Sequence, residues 1–98
     1  MVTEQLTFFM NDSDKKFWRF HKDNPHVYGE IVRLALMLKS KGHKKIGIAM
    51  IFEQLRWQHA ITTSDMSGYK LNNNYKSYYS RLIMENIPEL SGFFEVRG

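Results

Sequence analysis

Cysteine is absent from this chain of 98 residues. That excludes a disulfide staple and a thiolate metal site, and leaves packing as the source of stability. Long apolar runs are also missing. The most apolar stretch, Ile31 to Leu38, is interrupted by Arg33 and is far too short to span a bilayer. Met1 to Met10 has no basic residue and carries Glu4, so a signal peptide is not expected. The four histidines, His21, His26, His43 and His59, include no pair three or four residues apart, the spacing that places two imidazoles on one helical face. No metal or other cofactor is therefore expected. There is no Gly-x-Ser-x-Gly elbow and no Gly-rich phosphate loop. Asp12 and Asp14 form the one close carboxylate pair that invites a catalytic reading, but their place ahead of a helix favours capping. A chain this short has little room for an enclosed cleft that would raise a carboxylate pKa. The expected class is not an enzyme.

Acids are missing from two long stretches. Arg33 to Lys45 carries Arg33, Lys39, Lys41, Lys44 and Lys45, and Met66 to Met84 carries Lys70, Lys76 and Arg81, without one acid in either. The formal net charge is +4. Such one-signed stretches favour a polyanion nearby, and equally describe a solvated basic loop. An apolar share of 43% against 24% charged is that of a globular protein and not of a disordered tail. The length fits a single domain over residues 1–98, with residues 1–11 as an N-terminal strap or short strand and 12–98 as a helical body with a C-terminal strand.

Along the chain, Asp12-Ser13-Asp14 offers N-cap oxygens for a short helix to about His21, with Phe17, Phe20 and His21 on one side and Trp18 flanking them. Asn24-Pro25 starts a second helix, Asn24 as N-cap and Pro25 in the first turn. Its apolar positions Val27, Ile31, Leu34 and Leu38 are widened by Tyr28, Val32, Ala35 and Leu36 to over half the circumference. That breadth marks a central helix. Gly42 sits where a left-handed cap belongs. Lys44 to Ile48 reads as a one-bridge strand or a turn. Ile48, Ile51, Phe52 and Leu55 then make a narrow stripe on a third helix ending near His59.

A fourth helix is expected from Asn72 as N-cap to about Asn86, stopped by Pro88. Tyr75, Tyr78, Tyr79 and Leu82 fall on one side, to be anchored on Ile31, Leu34 and Leu38. Asn73, Lys76, Ser77, Ser80 and Arg81 fall on the other. Phe93 to Arg97 has β-type residues and is expected to return as a strand beside Ile46 to Ile48.

The outward side of the fourth helix offers amides, hydroxyls and cations, the groups that reach phosphates and base edges, and Asn pairs bidentately with adenine. Asn73, Asn74, Lys76, Ser77 and Arg81 are therefore candidates to face a groove, with Lys44, Lys45 and Lys70 on phosphates. The alternative is that Asn72 caps, Asn73 and Asn74 are merely solvated, and the tyrosines are core. Met50 and Trp57 stand seven residues apart on one side of the third helix, away from its main stripe. They are either covered, by the N-terminal segment or the 62–70 loop, or anchors for a protein partner. Burial is the favoured reading because a small domain needs its apolar area.

Several segments carry a resemblance: Phe17 to His21 with Asn24-Pro25; Lys45 to Ile48; Phe52-Glu53-Gln54-Leu55-Arg56-Trp57; Lys70-Leu71-Asn72-Asn73-Asn74-Tyr75; Arg81-Leu82-Ile83-Met84-Glu85; and Phe94-Glu95-Val96-Arg97. In these the chain is similar to a group of small phage- and prophage-encoded proteins. The resemblance implies a phage origin and the bacterial cytoplasm, and brings no activity with it. The order helix, short strand, helix, helix, strand also resembles a winged helix-turn-helix. Two departures are visible: a long connection over residues 59–71, where that motif has a tight turn, and one C-terminal strand where a wing needs two.

The expected fold is thus mainly α, a compact four-helix, winged-helix-like domain with short β-strands. Double-stranded DNA or another nucleic acid is the leading partner. A host or phage protein complex, inhibited or redirected through Met50 and Trp57, is the rival. No membrane association is expected, and the oligomeric state is left open.

Overall fold

The computed structural model describes residues 11–62 and 71–95. Among them are four α-helices: α1 (Asp12–Asp23), α2 (Pro25–Ser40), α3 (Ile48–Thr62) and α4 (Tyr75–Asn86). A short 3-10 turn (Pro88–Leu90) follows. The fold is mainly α, as the periodicity requires. Of the expected N-terminal strap or short strand over residues 1–11, residues 1–10 lie outside the described residues and Asn11 is the N-cap of α1.

α1 opens one residue earlier than the Asp12-Ser13-Asp14 reading, with Asn11 as N-cap. The Asn11 Oδ1 accepts from the Asp14 backbone N–H at 2.8 Å, and the Asp14 carboxylate accepts from the Asn11 N–H at 3.3 Å. This reciprocal pair satisfies two donors that the first turn would otherwise leave without partners. Asp14 does a second job. Its other oxygen accepts a hydrogen bond from the Tyr78 hydroxyl of α4, which holds that phenol protonated and pushes its pKa up. Asp14→Ala therefore removes a cap and an interhelix bond together. It is expected to cost about 1–2 kcal/mol in urea unfolding, against about 1 kcal/mol for Tyr78→Phe.

Between α1 and α2, Asn24 stands where an N-cap would, yet its side chain faces backward, Nδ2 donating to the Phe20 carbonyl at 3.0 Å. One residue closes the first helix while Pro25 starts the second. α2 touches α1, α3, α4 and the 3-10 turn, which makes it the central helix its wide apolar face predicts. Val27, Ile31 and Ala35 are fully buried, and Leu34 and Leu38 pack at the edge of the core. Leu36 does not join them and is exposed together with Met37. At Gly42 the chain turns at φ +104°, in the left-handed region where glycine carries no Cβ penalty.

The core is completed by Ile48, Ile51, Phe52 and Leu55 of α3, by Tyr79 and Ile83 of α4, and by Leu71, Leu90, Phe93 and Phe94. α3 runs three residues past the expected end at His59. On α4, Tyr79 is buried and Tyr75, Tyr78 and Leu82 are partly buried, so the tyrosine side does face inward. Phe17 is their meeting point, stacked on Tyr78 at 4.7 Å and edge-on to Tyr79 at 4.9 Å and Tyr75 at 5.7 Å.

The expected strands are not formed by the described residues. Ile46 and Phe94 make a single parallel bridge, with the Ile46 N–H donating to the Phe93 carbonyl at 2.9 Å and the Glu95 N–H to the Ile46 carbonyl at 2.8 Å. Val96 and Arg97 lie outside the described residues. The pairing partner was placed correctly, but a pair joined at one residue is neither a strand nor a wing. Residues 63–74 separate α3 from α4, which is incompatible with the tight turn of a helix-turn-helix. The winged-helix element of the expectation is not supported.

His21 sits against the same aromatic cluster, parallel to Phe17 at 5.9 Å and tilted on Tyr28 at 5.5 Å. Its Nδ1 is buried and has no hydrogen-bond partner among the described residues, and burial pushes its pKa below the ordinary 6.5. A depressed folded pKa means that the unfolded chain binds the proton more tightly. The stability gained from neutral His21 is therefore present above pH 6.5 and is lost as pH falls through the folded value. Urea midpoints measured above and below that pH should fall on acidification in the wild type and fall less in His21→Phe. Equal acid sensitivity in both would contradict this.

Candidate nucleic-acid interface

The entry to α4 is built from Leu71 and the three asparagines that follow it. Asn74, not Asn72, is the N-cap, and its side chain makes no capping bond. Asn72 instead closes a tight turn ahead of the helix, its Oδ1 accepting from the Asn74 N–H at 2.8 Å and its carbonyl from the Tyr75 N–H at 3.0 Å. The Asn73 carbonyl accepts from the Lys76 N–H at 3.2 Å. Regular helix therefore begins at Tyr75, later than Asn72. The first-turn amide protons at Asn74, Tyr75 and Lys76 are thus engaged within this turn.

Arg56 on α3, which the sequence did not single out, fixes this entry in place. Its Nη2 donates to the Leu71 carbonyl and to the Asn73 Oδ1, both at 2.6 Å, while Nη1 holds Glu53 at 2.5 Å. The guanidinium carbon lies 5.8 Å from the centre of the Phe52 ring, within cation–π range. The only sequence signal for Arg56 was its spacing three residues after Glu53, which predicts a routine helix ion pair.

Asn73, Asn74, Ser77 and Arg81 are exposed and Lys76 is half-buried. Ser80 departs from the expectation. It is 2% exposed, its hydroxyl donating to the Lys76 carbonyl at 2.9 Å, so the outward side of α4 is narrower than helical spacing suggested. It narrows because the start of α3 packs nearby. Gly47, Ile48 and Ala49 line a cleft of about 390 Å³ with Lys76, Ser77 and Ser80. Glu95 also lines it, and a Cβ added at Gly47 would lie 4.0 Å from the Glu95 Oε2. That carboxylate stands close to the positive end of the α3 dipole, which makes the cleft interior a poor seat for an anion. The open rim, with Asn74, Ser77 and Arg81 exposed and the half-buried Lys76 beside them, is the part that can meet one.

Lys44 and Lys45 are exposed in the loop entering this cleft, with Lys41 just before them. The acid-free stretch is thinner in space than in sequence. Arg33 pairs with Glu30 at 2.6 Å, and the Lys39 ammonium donates to the Glu89 carbonyl, tying α2 to the 3-10 turn. All five cations of the stretch are exposed, and Lys41, Lys44 and Lys45 are those not tied to Glu30 or Glu89. Lys70 lies outside the described residues.

Met50 and Trp57 are 50% and 60% exposed, and Ile61, one turn further on, is 61% exposed. Among the described residues nothing buries them. The segments expected to cover them, residues 1–10 and 63–70, lie outside that set. Ile61 extends the stripe and was missed because it coincides with the helix end the sequence placed too early. Trp57 and Ile61 also border a groove of about 630 Å³ between α2 and α3, with Val27 and Leu55 in its wall.

Among the described residues, no three His, Cys, Asp or Glu side chains are grouped to hold a metal ion, and no helix is long and apolar enough to cross a membrane. No protein-family model, curated protein or solved structure matches the chain.

Proposed function

We propose that this chain is a phage-encoded, non-enzymatic protein of the bacterial cytoplasm that binds double-stranded DNA. It acts by occupancy as a regulator or accessory factor. The observation that carries the reading is the outward stripe of α4. Asn74, Ser77 and Arg81 are exposed along one side, with Asn73 at its head and Lys76 beside it, and no acid occurs on the helix before Glu85. Arg81 and Lys76 supply charge for phosphates, and the amides and hydroxyl supply short-range hydrogen bonds. Lys44 and Lys45 are exposed three and two residues before Gly47 of the cleft wall, and would extend the basic surface.

The arrangement needs no wing. A helix presented from a rigid body, with neighbouring loop cations on the phosphates, is sufficient for groove contact. Titrating a mixed-sequence DNA duplex into the labelled protein should shift backbone resonances at residues 73–81 and 44–47 and leave α1 unchanged. Shifts centred on Met50 to Ile61 would refute the placement.

Exposure of Met50, Trp57 and Ile61 favours a second reading, in which α3 docks on a host or phage protein complex. Under that reading Trp57→Ala abolishes capture of the partner with the thermal midpoint unchanged. Under the nucleic-acid reading, the same variant binds duplex DNA like the wild type.

A further inference from the structure

The adenine contact expected of the asparagines requires a carboxamide that offers its oxygen and its nitrogen side by side. Asn73 does not stand free to do so. A guanidinium only donates, so the group that meets Arg56 Nη2 at 2.6 Å must be the Asn73 oxygen. This settles which end of the carboxamide faces the protein. The guanidinium is itself held by the Glu53 carboxylate and the Leu71 carbonyl, over a ring that is fully buried. The amide protons at Asn74, Tyr75 and Lys76 are engaged within the turn. What the head of the stripe offers a ligand is the Asn73 NH2.

We infer that Arg56 is a positioning residue for the DNA-binding face. It holds Asn73 by its oxygen and so presents a fixed pair of N–H donors that selects a hydrogen-bond acceptor on the duplex, a phosphate oxygen or the guanine O6/N7 edge, over the adenine edge. This rests on the nucleic-acid reading proposed above. Arg56 itself touches no DNA. Its guanidinium is occupied by three partners and its side chain is 31% exposed. Lysine cannot replace it, because one ammonium cannot span Glu53, the Leu71 carbonyl and Asn73 in the planar arrangement that a guanidinium provides.

The test is a double-mutant cycle read by fluorescence anisotropy on two labelled duplexes, one of G·C pairs and one of A·T pairs. Asn73→Ala and Arg56→Met are each expected to weaken binding about tenfold, the loss of one good short-range contact. The double variant should bind no worse than either single one, because both remove the same contact. The dependence on salt should keep its wild-type slope in all three, since none removes a phosphate-pairing charge. Arg56→Lys should not restore binding. Asn73→Asp keeps the acceptor for Arg56 and loses the donors, so it should weaken binding without lowering the thermal midpoint, a separation that a purely structural role would not produce.

Equal losses on the two duplexes assign the acceptor to phosphate, and a larger loss on G·C assigns it to guanine. A loss confined to A·T overturns the inference. So do multiplying losses in the double variant, a flatter salt slope in Arg56→Met, or wild-type affinity in Asn73→Ala. In each of those cases the wild type still binds, and the nucleic-acid reading survives. If the wild type binds neither duplex, the reading itself falls and the inference falls with it.

Discussion

Phe17→Ala is expected to lower the stability of this protein by about 3–5 kcal/mol, the range for deleting a buried aromatic ring. Phe17 is 1% exposed and is the one α1 side chain fully in the core. Three tyrosines of α4 contact its ring, and His21 and Trp18 of α1 complete the cluster. No neighbour of similar size can fill the space, because the tyrosines are held elsewhere, Tyr78 by Asp14 and Tyr79 by Phe52, 6.2 Å away. Domains of this size have about 5–15 kcal/mol of stability in all. The variant should therefore unfold near room temperature or at a much reduced urea midpoint, with α1 the first element to lose amide protection. Phe52→Ala should be as costly but lose protection in α3 and α4 together, since Phe52 is fully buried on α3 with its ring edge-on to Tyr79 of α4. A Phe17→Ala loss below about 1 kcal/mol would mean that α1 is not docked as described.

Removing the two cations of the α4 face should have the largest effect on binding. Lys76→Ala with Arg81→Ala is expected to reduce duplex affinity by on the order of a hundredfold at low salt, about tenfold for each contact. Each phosphate contact contributes about 0.9 to the slope of log K against log salt, so the slope should fall by about 2. Arg81 is exposed and makes no hydrogen bond that the core depends on, so its removal leaves the fold intact. Lys76 is half-buried and lines the cleft, so a small stability loss from its stem is expected alongside. The same pair of changes would leave binding to a protein partner through Trp57 unaltered, which makes the double variant a discriminator between the two readings.

Helix existence was legible from sequence because it depends on local physics. Apolar spacing, Asn24-Pro25, Gly42 and Pro88 placed four helices within a few residues. Of the expected caps only Asn24 holds its position, while α1 is capped by Asn11 and α4 begins after Asn74. Asn24 turns its side chain back to Phe20, and Asn72 closes a tight turn two residues ahead of the Asn74 cap, geometry that depends on the neighbouring helix ends. Ser80 could not be placed from α4 alone, since it is buried at a cleft whose other wall is the start of α3, about thirty residues earlier. Arg56 was invisible for the same reason. Its three partners lie on its own helix and on a segment fifteen or more residues downstream. The single bridge at Ile46 and Phe94 shows the converse case. β-type residues identified the right partners, but too few of them pair to make a strand.

Everything proposed about function requires the outward side of α4 to meet a polyanion, and the salt dependence of wild-type binding to a short DNA duplex measures that requirement most directly. The account predicts saturable binding whose log K declines linearly with log salt, with a slope of about −2 to −4, as two to four phosphate contacts from Lys76, Arg81, Lys44 and Lys45 would give. Failure to bind at the lowest salt, or an affinity indifferent to salt, would contradict it.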